Sequence, residues 1–282
     1  MTSDGLLRAW RDVWPLGATV LGLVLFLGPL SVPWKLAGVG MLGLGWSRHG
    51  LKARELLRYL GGFLAFVVLR AIVDDYGLST RWSYPIVWDR FLFGEVPTVA
   101  LQRALLTPGH WDRFDYAMVT VYLTYFLLPP TVLVLLWRVW PHRLRQYVSA
   151  TLALFSVSTV IHFLVPTAPP WLAAREGMLP GVTHLGAAVF GVVAPATYQY
   201  GVGISGNVVA AMPSVHLGVT TLMAAALWPT PLRWPAVLYV PLMGLAIVYG
   251  AEHYVVDGLA GIVVGLACWR WARAAAGSES VS

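Results

Sequence analysis

Residues 254–272, YVVDGLAGIVVGLACWRWA, form a nearly uninterrupted apolar run in which only Asp257 and Arg270 are charged. A helix needs roughly 20 apolar residues to cross a bilayer, and this run is about that long. Gly261 and Gly265 within it are spaced for close packing against another helix. Seven further apolar runs occur at 15–32, 34–47, 56–73, 116–138, 147–166, 207–229 and 233–250. Because the run at 34–47 is short and follows two prolines, we predict an all-α polytopic membrane bundle of six to eight transmembrane helices.

The composition of the whole chain supports the membrane assignment. Of its 282 residues, 58% are hydrophobic and only 11% are charged, whereas a soluble domain carries about 25% charged residues. The 14 tryptophans suit the headgroup level of a bilayer. The single cysteine, Cys268, excludes a disulfide framework within the chain and a cysteine-based metal site.

The net charge of +6 is distributed as membrane topology requires. Basic residues flank the apolar runs instead of gathering on one element, so we predict no nucleic-acid binding. If eight spans start inside, 12 Lys and Arg face inwards and seven outwards, in accord with the positive-inside rule. The outer seven are Lys35, Arg70, Arg81, Arg90, Arg103, Arg113 and Arg175. We therefore predict a plasma (inner) membrane protein with cytoplasmic termini, in which residues 1–11 lead into a retained first helix.

Two polar motifs stand where apolar runs begin, AMPSVH at 211–216 and HYVVD at 253–257. Between them the chain crosses inwards in the run at 207–229 and returns in the run at 233–250, so both motifs are expected on the outer, non-cytoplasmic face. Ionisable groups at membrane depth are costly unless they face a polar cavity, which makes each a functional-site candidate. The sequence therefore predicts a site between these two motifs.

The residue types in the two motifs suit phosphoryl chemistry. His253 and Asp257 are four residues apart and share one helix face, so the carboxylate can orient the imidazole for nucleophilic attack. Ser214 is a suitable N-cap after Pro213, and the N–H groups that follow form an anion site. A phosphate bound there would have His216 close enough to protonate its leaving oxygen. Taken singly, the motifs also fit a capped helix and an interfacial histidine.

The two motifs resemble the paired histidine motifs of the type 2 phosphatidic acid phosphatase superfamily, and the resemblance covers about residues 85–270. Further stretches resemble its inositol phosphorylceramide synthase (inositolphosphotransferase) branch: DRFLFGEVPT at 89–98, PTAPPW at 166–171 and Met212 before Pro-Ser. The resemblance implies that His253 attacks phosphorus to form a phosphohistidine, that Asp257 orients it and that His216 is the acid–base. It also implies an enzyme that acts on lipid substrates and uses no metal and no cofactor.

Two departures from the superfamily pattern bear on the substrate. Phosphatases of this superfamily usually carry Lys and Arg in a first motif and an Arg six residues before the nucleophilic histidine. Here Ile247 holds the latter position and the PTAPPW stretch has no basic residue. Fewer cationic partners favour a phosphodiester or headgroup-transfer substrate. We predict four substrate-binding residues, although both arginines also fit interface anchors and the histidine also fits a structural hydrogen bond: Ser214, Arg90, Arg175 and His162.

We therefore predict a membrane lipid phosphotransferase that moves a phosphorylated headgroup between lipids. Two alternatives stay open: a lipid or polyprenyl phosphate phosphatase, and a non-enzymatic lipid-binding or transport protein. The predicted regions are N-terminal transmembrane helices at 1–73, a phosphatase- or phosphotransferase-like membrane domain at 74–273 with an interfacial segment at 74–115, and a disordered tail at 274–282. His184 shows no partner pattern. Glu252, beside His253, is a candidate for tuning the nucleophile or binding an acceptor.

Overall fold

The computed structural model describes residues 50–76, 78–107, 109–193 and 209–278. These ranges contain eleven helices, numbered here along the described part of the chain. They are α1 (Gly50–Tyr76), α2 (Ser83–Phe93), α3 (Pro97–Leu105), α4 (Arg113–Thr124), α5 (Leu128–Val139), α6 (Pro141–Leu164), α7 (Pro170–Arg175), α8 (Leu185–Val193), α9 (Val215–Leu227), α10 (Arg233–Tyr249) and α11 (Val255–Ser278). Within the described ranges the only β-type pairings are isolated bridges, so the predicted all-α class is confirmed.

Two described helices are long and apolar enough to cross a membrane, α6 and the Val255–Ala276 part of α11. Helices α4 and α5 give a third candidate if they count as one span, which bends by 46° at a short break. Pro129 and Pro130 lie at the start of α5, and proline interrupts helical hydrogen bonding, which explains the break in the run predicted at 116–138. The runs predicted at 15–32 and 34–47 lie outside the described residues.

The outer segments and the C-terminus contain more helix than the sequence pattern suggests. The segment at 74–115 folds into α2 and α3, and the long connection after α6 contains α7 and α8. Helix α11 continues to Ser278, so it enters the stretch predicted as a disordered tail, as an alanine-rich sequence allows. All residues of the candidate site belong to the second of two units of the chain, which begins at residue 58.

Helix α9 lies at the centre of the second unit and packs against α5, α6, α10 and α11. It is buried on nearly all sides, as expected for a helix that is apolar all round. Glycines allow α9 and α11 to touch backbone to backbone. A Cβ atom on Gly261 would overlap the carbonyl oxygen of Ser214, and one on Gly265 would lie 2.8 Å from that of Gly218. This contact brings the two histidine motifs together.

Three non-helical segments meet beside the start of α9. Thr167 forms parallel bridges to both Arg81 and Ala210. The hydroxyl of Tyr84 lies 2.6 Å from Thr167 Oγ1 and donates to the sulfur of Met212 at 3.2 Å. The PTAPPW stretch is therefore fixed against the residues that lead into the first histidine motif.

Candidate active site

The structure brings the side chains of the two histidine motifs into contact. His216 Nδ1 lies 3.1 Å from His253 Nε2, and His253 Nδ1 lies 3.6 Å from Asp257 Oδ2. His253 is 5% exposed and Asp257 is fully buried. One nitrogen of the His253 ring thus faces His216, and the other faces a buried carboxylate.

Hydrogen bonds at two helix starts fix the motifs relative to each other. The N–H of Ser214 donates to the carbonyl oxygen of Asp257 at 2.9 Å, and its hydroxyl caps α9 by accepting from Leu217 N–H at 3.4 Å. Asp257 Oδ2 accepts from Tyr254 N–H at 2.9 Å, in the first turn of α11, where the helix dipole favours an anion. Ser214 and Asp257 thus each support the helix start beside one of the two histidines.

His162, predicted as a substrate-binding residue, supports the first motif from α6. Its Nε2 lies 3.2 Å from the carbonyl oxygen of Pro213, and the residue is only 2% exposed. This contact is with the backbone next to Ser214. His162 therefore holds the motif in place through a backbone contact, and its role in substrate binding stays a prediction.

Aromatic rings orient His216. The ring centroids of Tyr122 and Tyr125 lie 5.4 Å and 4.3 Å from that of His216. Tyr122 also faces a small pocket that reaches Glu252, the neighbour of His253 in the chain. This pocket is lined by Met118, Val119, Tyr122, Leu185, Gly186, Ala246, Gly250 and Glu252. The pocket therefore extends from Tyr122, which packs against His216, to Glu252, which precedes His253 in the chain.

The two arginines predicted to bind substrate lie at the surface. Arg90 is exposed on α2. The side chain of Arg175 is 64% exposed, pairs with Glu176 at 3.5 Å and lies over the ring of Trp171 at 5.6 Å. Within the described ranges, neither arginine contacts the two histidines. Their placement fits the alternative role of anchors at the interface.

The buried acid of α2 is Asp89, which the motif pattern did not single out. It is fully buried, and its two carboxylate oxygens accept from the N–H groups of Val255 and Val256, each at 3.0 Å. The first N–H groups of a helix have no partner inside the helix, so Asp89 caps α11 from a different element. The residue before Arg90 thereby holds the helix start that carries Asp257.

The electrostatics of Asp89 follow from this placement. Burial raises its pKa to about 6, the hydrogen bonds from Val256 and Val255 oppose the rise, and the charge of Asp257 adds to it. A signal for Asp89 was present in the helical period of α2, because Pro85, Ile86 and Asp89 share its buried face.

Several hydrogen bonds hold the connection between α10 and α11. The buried amide of Gln102 donates to the carbonyl oxygens of Tyr249 and Thr183 at 2.7 and 2.8 Å, and it accepts from Thr183 N–H at 2.7 Å. Trp171 N–H donates to the carbonyl oxygen of Ala251 at 3.1 Å. Ala251 has a φ of 65°, which costs a non-glycine residue about 1–2 kcal/mol. The connection that precedes the second motif is therefore fixed by contacts on both sides.

A second imidazole–carboxylate pair lies next to His253. His184 Nε2 is 2.8 Å from Glu252 Oε1, with the two side chains 23% and 18% exposed. The ring of Trp171 stacks on His184, with centroids 4.8 Å apart and an interplanar angle of 8°. His184 thus has a partner that the sequence did not reveal, because the pair joins positions 68 residues apart.

The residues that form this site lie in a part of the chain that matches a known protein family. A family model of the PAP2 superfamily matches residues 86–271, more than half of the chain, including both histidines and Asp257. No curated protein and no solved structure matches the chain. The family match supports an enzyme with a function of the lipid phosphatase or phosphotransferase type, and the apolar helices support a membrane protein. With its paired histidine motifs joined across α9 and α11, the chain belongs to the PAP2 superfamily.

Proposed function

We propose that the protein is an integral membrane lipid phosphotransferase that moves a phosphorylated headgroup between lipids through a phosphohistidine intermediate, without a metal or another cofactor. The observation that carries the proposal is the line formed by His216, His253 and Asp257. In this line, the nucleophile candidate has an acid–base group on one nitrogen and a carboxylate on the other. This is the arrangement that nucleophilic catalysis by an imidazole needs.

In the first step, Asp257 favours the proton on Nδ1 of His253, which leaves the lone pair on Nε2. This nitrogen attacks phosphorus, the bond from phosphorus to the leaving oxygen breaks, and His216 donates its proton to that oxygen. The N–H groups at the start of α9 stabilise the anionic phosphoryl group. A positioned acid contributes about 10²–10⁴-fold to such a step.

In the second step, the hydroxyl group of an acceptor lipid transfers its proton to His216. The acceptor oxygen attacks phosphorus, the bond between phosphorus and His253 breaks, and its electron pair returns to the ring nitrogen. Water in place of the lipid alcohol would give hydrolysis. The nature of the acceptor therefore decides between a transferase and a phosphatase.

Two observations favour transfer over hydrolysis. The position where phosphatases of the superfamily usually carry an arginine is Ile247, which is fully buried in an apolar cluster with Leu217 and Met243. The pair formed by Glu252 and His184 offers hydrogen-bonding groups beside the nucleophile, where an acceptor hydroxyl would have to bind. We include in this proposal a bundle of six to eight spans in the plasma (inner) membrane, with cytoplasmic termini and the site on the opposite face.

The proposal is tested with purified protein in detergent micelles and a phospholipid labelled in its headgroup phosphate. We expect a labelled second lipid when a lipid alcohol is added, and an acid-labile labelled protein when the reaction is quenched. If water-soluble labelled phosphate, either free or still bonded to the headgroup, is the sole labelled product with and without the alcohol, the transferase proposal is wrong and the protein is a hydrolase.

Glu252→Gln is expected to lower the ratio of transfer to hydrolysis by about 2–10-fold. The expected size corresponds to the loss of one hydrogen bond to the acceptor, about 0.5–1.5 kcal/mol. The ratio is measured from the labelled lipid and the labelled phosphorylated headgroup released into water in the same reaction, while the rate of protein labelling stays near the wild-type value.

Glu176→Gln provides the matched control, because it makes the same change at an exposed acid that pairs with Arg175. This variant is expected to keep the wild-type ratio. Equal ratios in wild type and both variants would remove Glu252 from the acceptor site.

A further inference from the structure

Stacked aromatic rings fix the register of α1 against α6. Tyr59 stacks on Tyr147 with centroids 6.5 Å apart, and Phe66 stacks on Phe155 at 4.5 Å. From the first pair to the second, both helices advance by two turns in the same chain direction. The two helices therefore run parallel along this seam.

Extending the seam leads to the candidate active site. Arg70 lies one turn beyond Phe66 on the same face of α1, and His162 lies two turns beyond Phe155 on α6. At 1.5 Å per residue the two levels differ by roughly 5 Å, a gap that a long arginine side chain can bridge. His162 in turn contacts Pro213 in the first histidine motif.

The surroundings of Arg70 agree with this placement. Its Nε atom is buried, although the sequence pattern counted the residue among the seven cations of the outer side. Its guanidinium acts electrostatically on the rings of His216, Tyr122 and Tyr125, and on His162. The positive charge of Arg70 therefore acts on Tyr122, Tyr125 and His216, which form one side of the site.

An anionic phosphoryl group bound beside the two histidines needs such a charge. Arg90 and Arg175 are exposed, and Ile247 occupies the position of the usual arginine. The planar guanidinium of arginine matches the geometry of phosphate oxygens and forms charge-assisted hydrogen bonds with them.

We propose that Arg70, supplied by α1 from outside the family-matched residues 86–271, binds the phosphoryl oxygens of a substrate that lies beside His216 and His253. The inference rests on the proposed phosphoryl chemistry and adds a binding residue to it. The site then consists of a family-typical histidine pair and an anion-binding arginine contributed by an additional helix.

The test compares Arg70→Gln and Arg70→Lys in the full-length protein. We measure the binding of inorganic phosphate, using its competition with lipid turnover and a direct equilibrium titration. Arg70→Gln is expected to weaken phosphate binding at least tenfold and to lower kcat/KM for the labelled phospholipid by on the order of 10²-fold, the usual cost of losing one anion-stabilising donor. Arg70→Lys keeps the charge without the planar fork and should fall between wild type and Arg70→Gln.

Arg58→Gln is the matched control for a loss of packing between α1 and α6. Arg58 lies on the same helix and its guanidinium donates to Ser149 on α6 at 3.3 Å, away from the histidines. We expect this variant to bind phosphate like wild type. In Arg70→Ala, added guanidinium ion at millimolar concentration should restore part of the turnover, an effect that a purely structural role would not produce.

The outcomes separate this inference from the proposed function. Wild-type phosphate binding and turnover in Arg70→Gln would overturn the role of Arg70 and leave the histidine chemistry standing. Weakened phosphate binding in Arg70→Gln, together with a wild-type protein that forms no labelled histidine, would support the arginine and overturn the proposed function. A wild-type protein that does not bind phosphate would overturn both.

Discussion

Replacing His253 by alanine is expected to reduce phosphoryl transfer by at least about 10⁴-fold and to abolish labelling of the protein. The imidazole supplies the atom that bonds to phosphorus, so its removal leaves only the binding and electrostatic contributions of the site. Initial rates with headgroup-labelled phospholipid give the first quantity. Samples quenched in alkaline detergent, in which a phosphohistidine survives, and separated by electrophoresis give the second.

His110→Ala is the control for this experiment, because His110 is exposed and lies in a connection before α4. It should turn over substrate at the wild-type rate. Normal turnover by His253→Ala would show that the phosphohistidine mechanism is wrong. A wild-type protein that binds lipid and turns none over would instead favour the non-enzymatic lipid-binding or transport alternative.

Local sequence patterns predicted the parts of the site that depend on neighbouring residues. The i,i+4 spacing predicted that His253 and Asp257 lie close together, and they do at 3.6 Å, although His253 precedes α11 instead of sharing a helix face with Asp257. Ser214 caps α9 as its position after Pro213 suggests. The glycine spacing in α11 predicted a close helix contact. These features follow from helix geometry alone, so they need no knowledge of the tertiary structure.

The parts that the sequence did not reveal depend on contacts between distant segments. The pattern drew attention to Arg90 because it is a cation in the family-like stretch at 89–98, but the fold turns the preceding residue, Asp89, towards α11. The helical period identifies the faces of α2 without saying which of them is buried. The pairing of His184 with Glu252 likewise arises only when the connection after α7 meets the loop before α11.

These distant contacts have a common effect on the second motif. Asp89 holds the start of α11, Gln102 holds the end of α10, and Trp171 holds the connection between them. A catalytic group must stay within a fraction of an ångström of its productive position, since small displacements cost large factors in rate. The residues around the motif therefore matter for turnover even where they do not touch the substrate.

Asp89→Ala is accordingly expected to lower turnover by about 10–100-fold. The substitution leaves the partly buried N–H groups of Val255 and Val256 without their partner, which costs up to about 1–3 kcal/mol for each. The start of α11 can then shift, and with it Asp257. Turnover of the labelled phospholipid and the thermal unfolding midpoint in detergent are measured on the same preparation.

Asp112→Ala is the matched control, because Asp112 also accepts two backbone N–H groups, from Phe114 and Asp115 at 2.8 and 3.1 Å. Asp112 is exposed and caps its own helix, α4, so its loss should cost about 0.5–2 kcal/mol of stability and leave turnover unchanged. If Asp89→Ala behaves in the same way, with lower stability and normal turnover, its role is that of an ordinary cap and the positioning argument is wrong.

The pH dependence of stability gives Asp89 a further signature. The pKa of its carboxyl group is about 6 in the folded protein against an ordinary value of 3.8, so the folded state holds the proton more tightly than the unfolded chain. The stability gained from this proton is complete below about pH 4 and is lost as the pH rises through 6. The thermal unfolding midpoint of wild type, taken relative to that of Asp89→Asn, should therefore decrease as the pH rises from about 4 to 6.5 and stay constant at higher pH. Asparagine serves as the reference because it has no proton to lose. A difference between the two proteins that does not change with pH would show that the carboxyl group is not held in the buried environment described for α2.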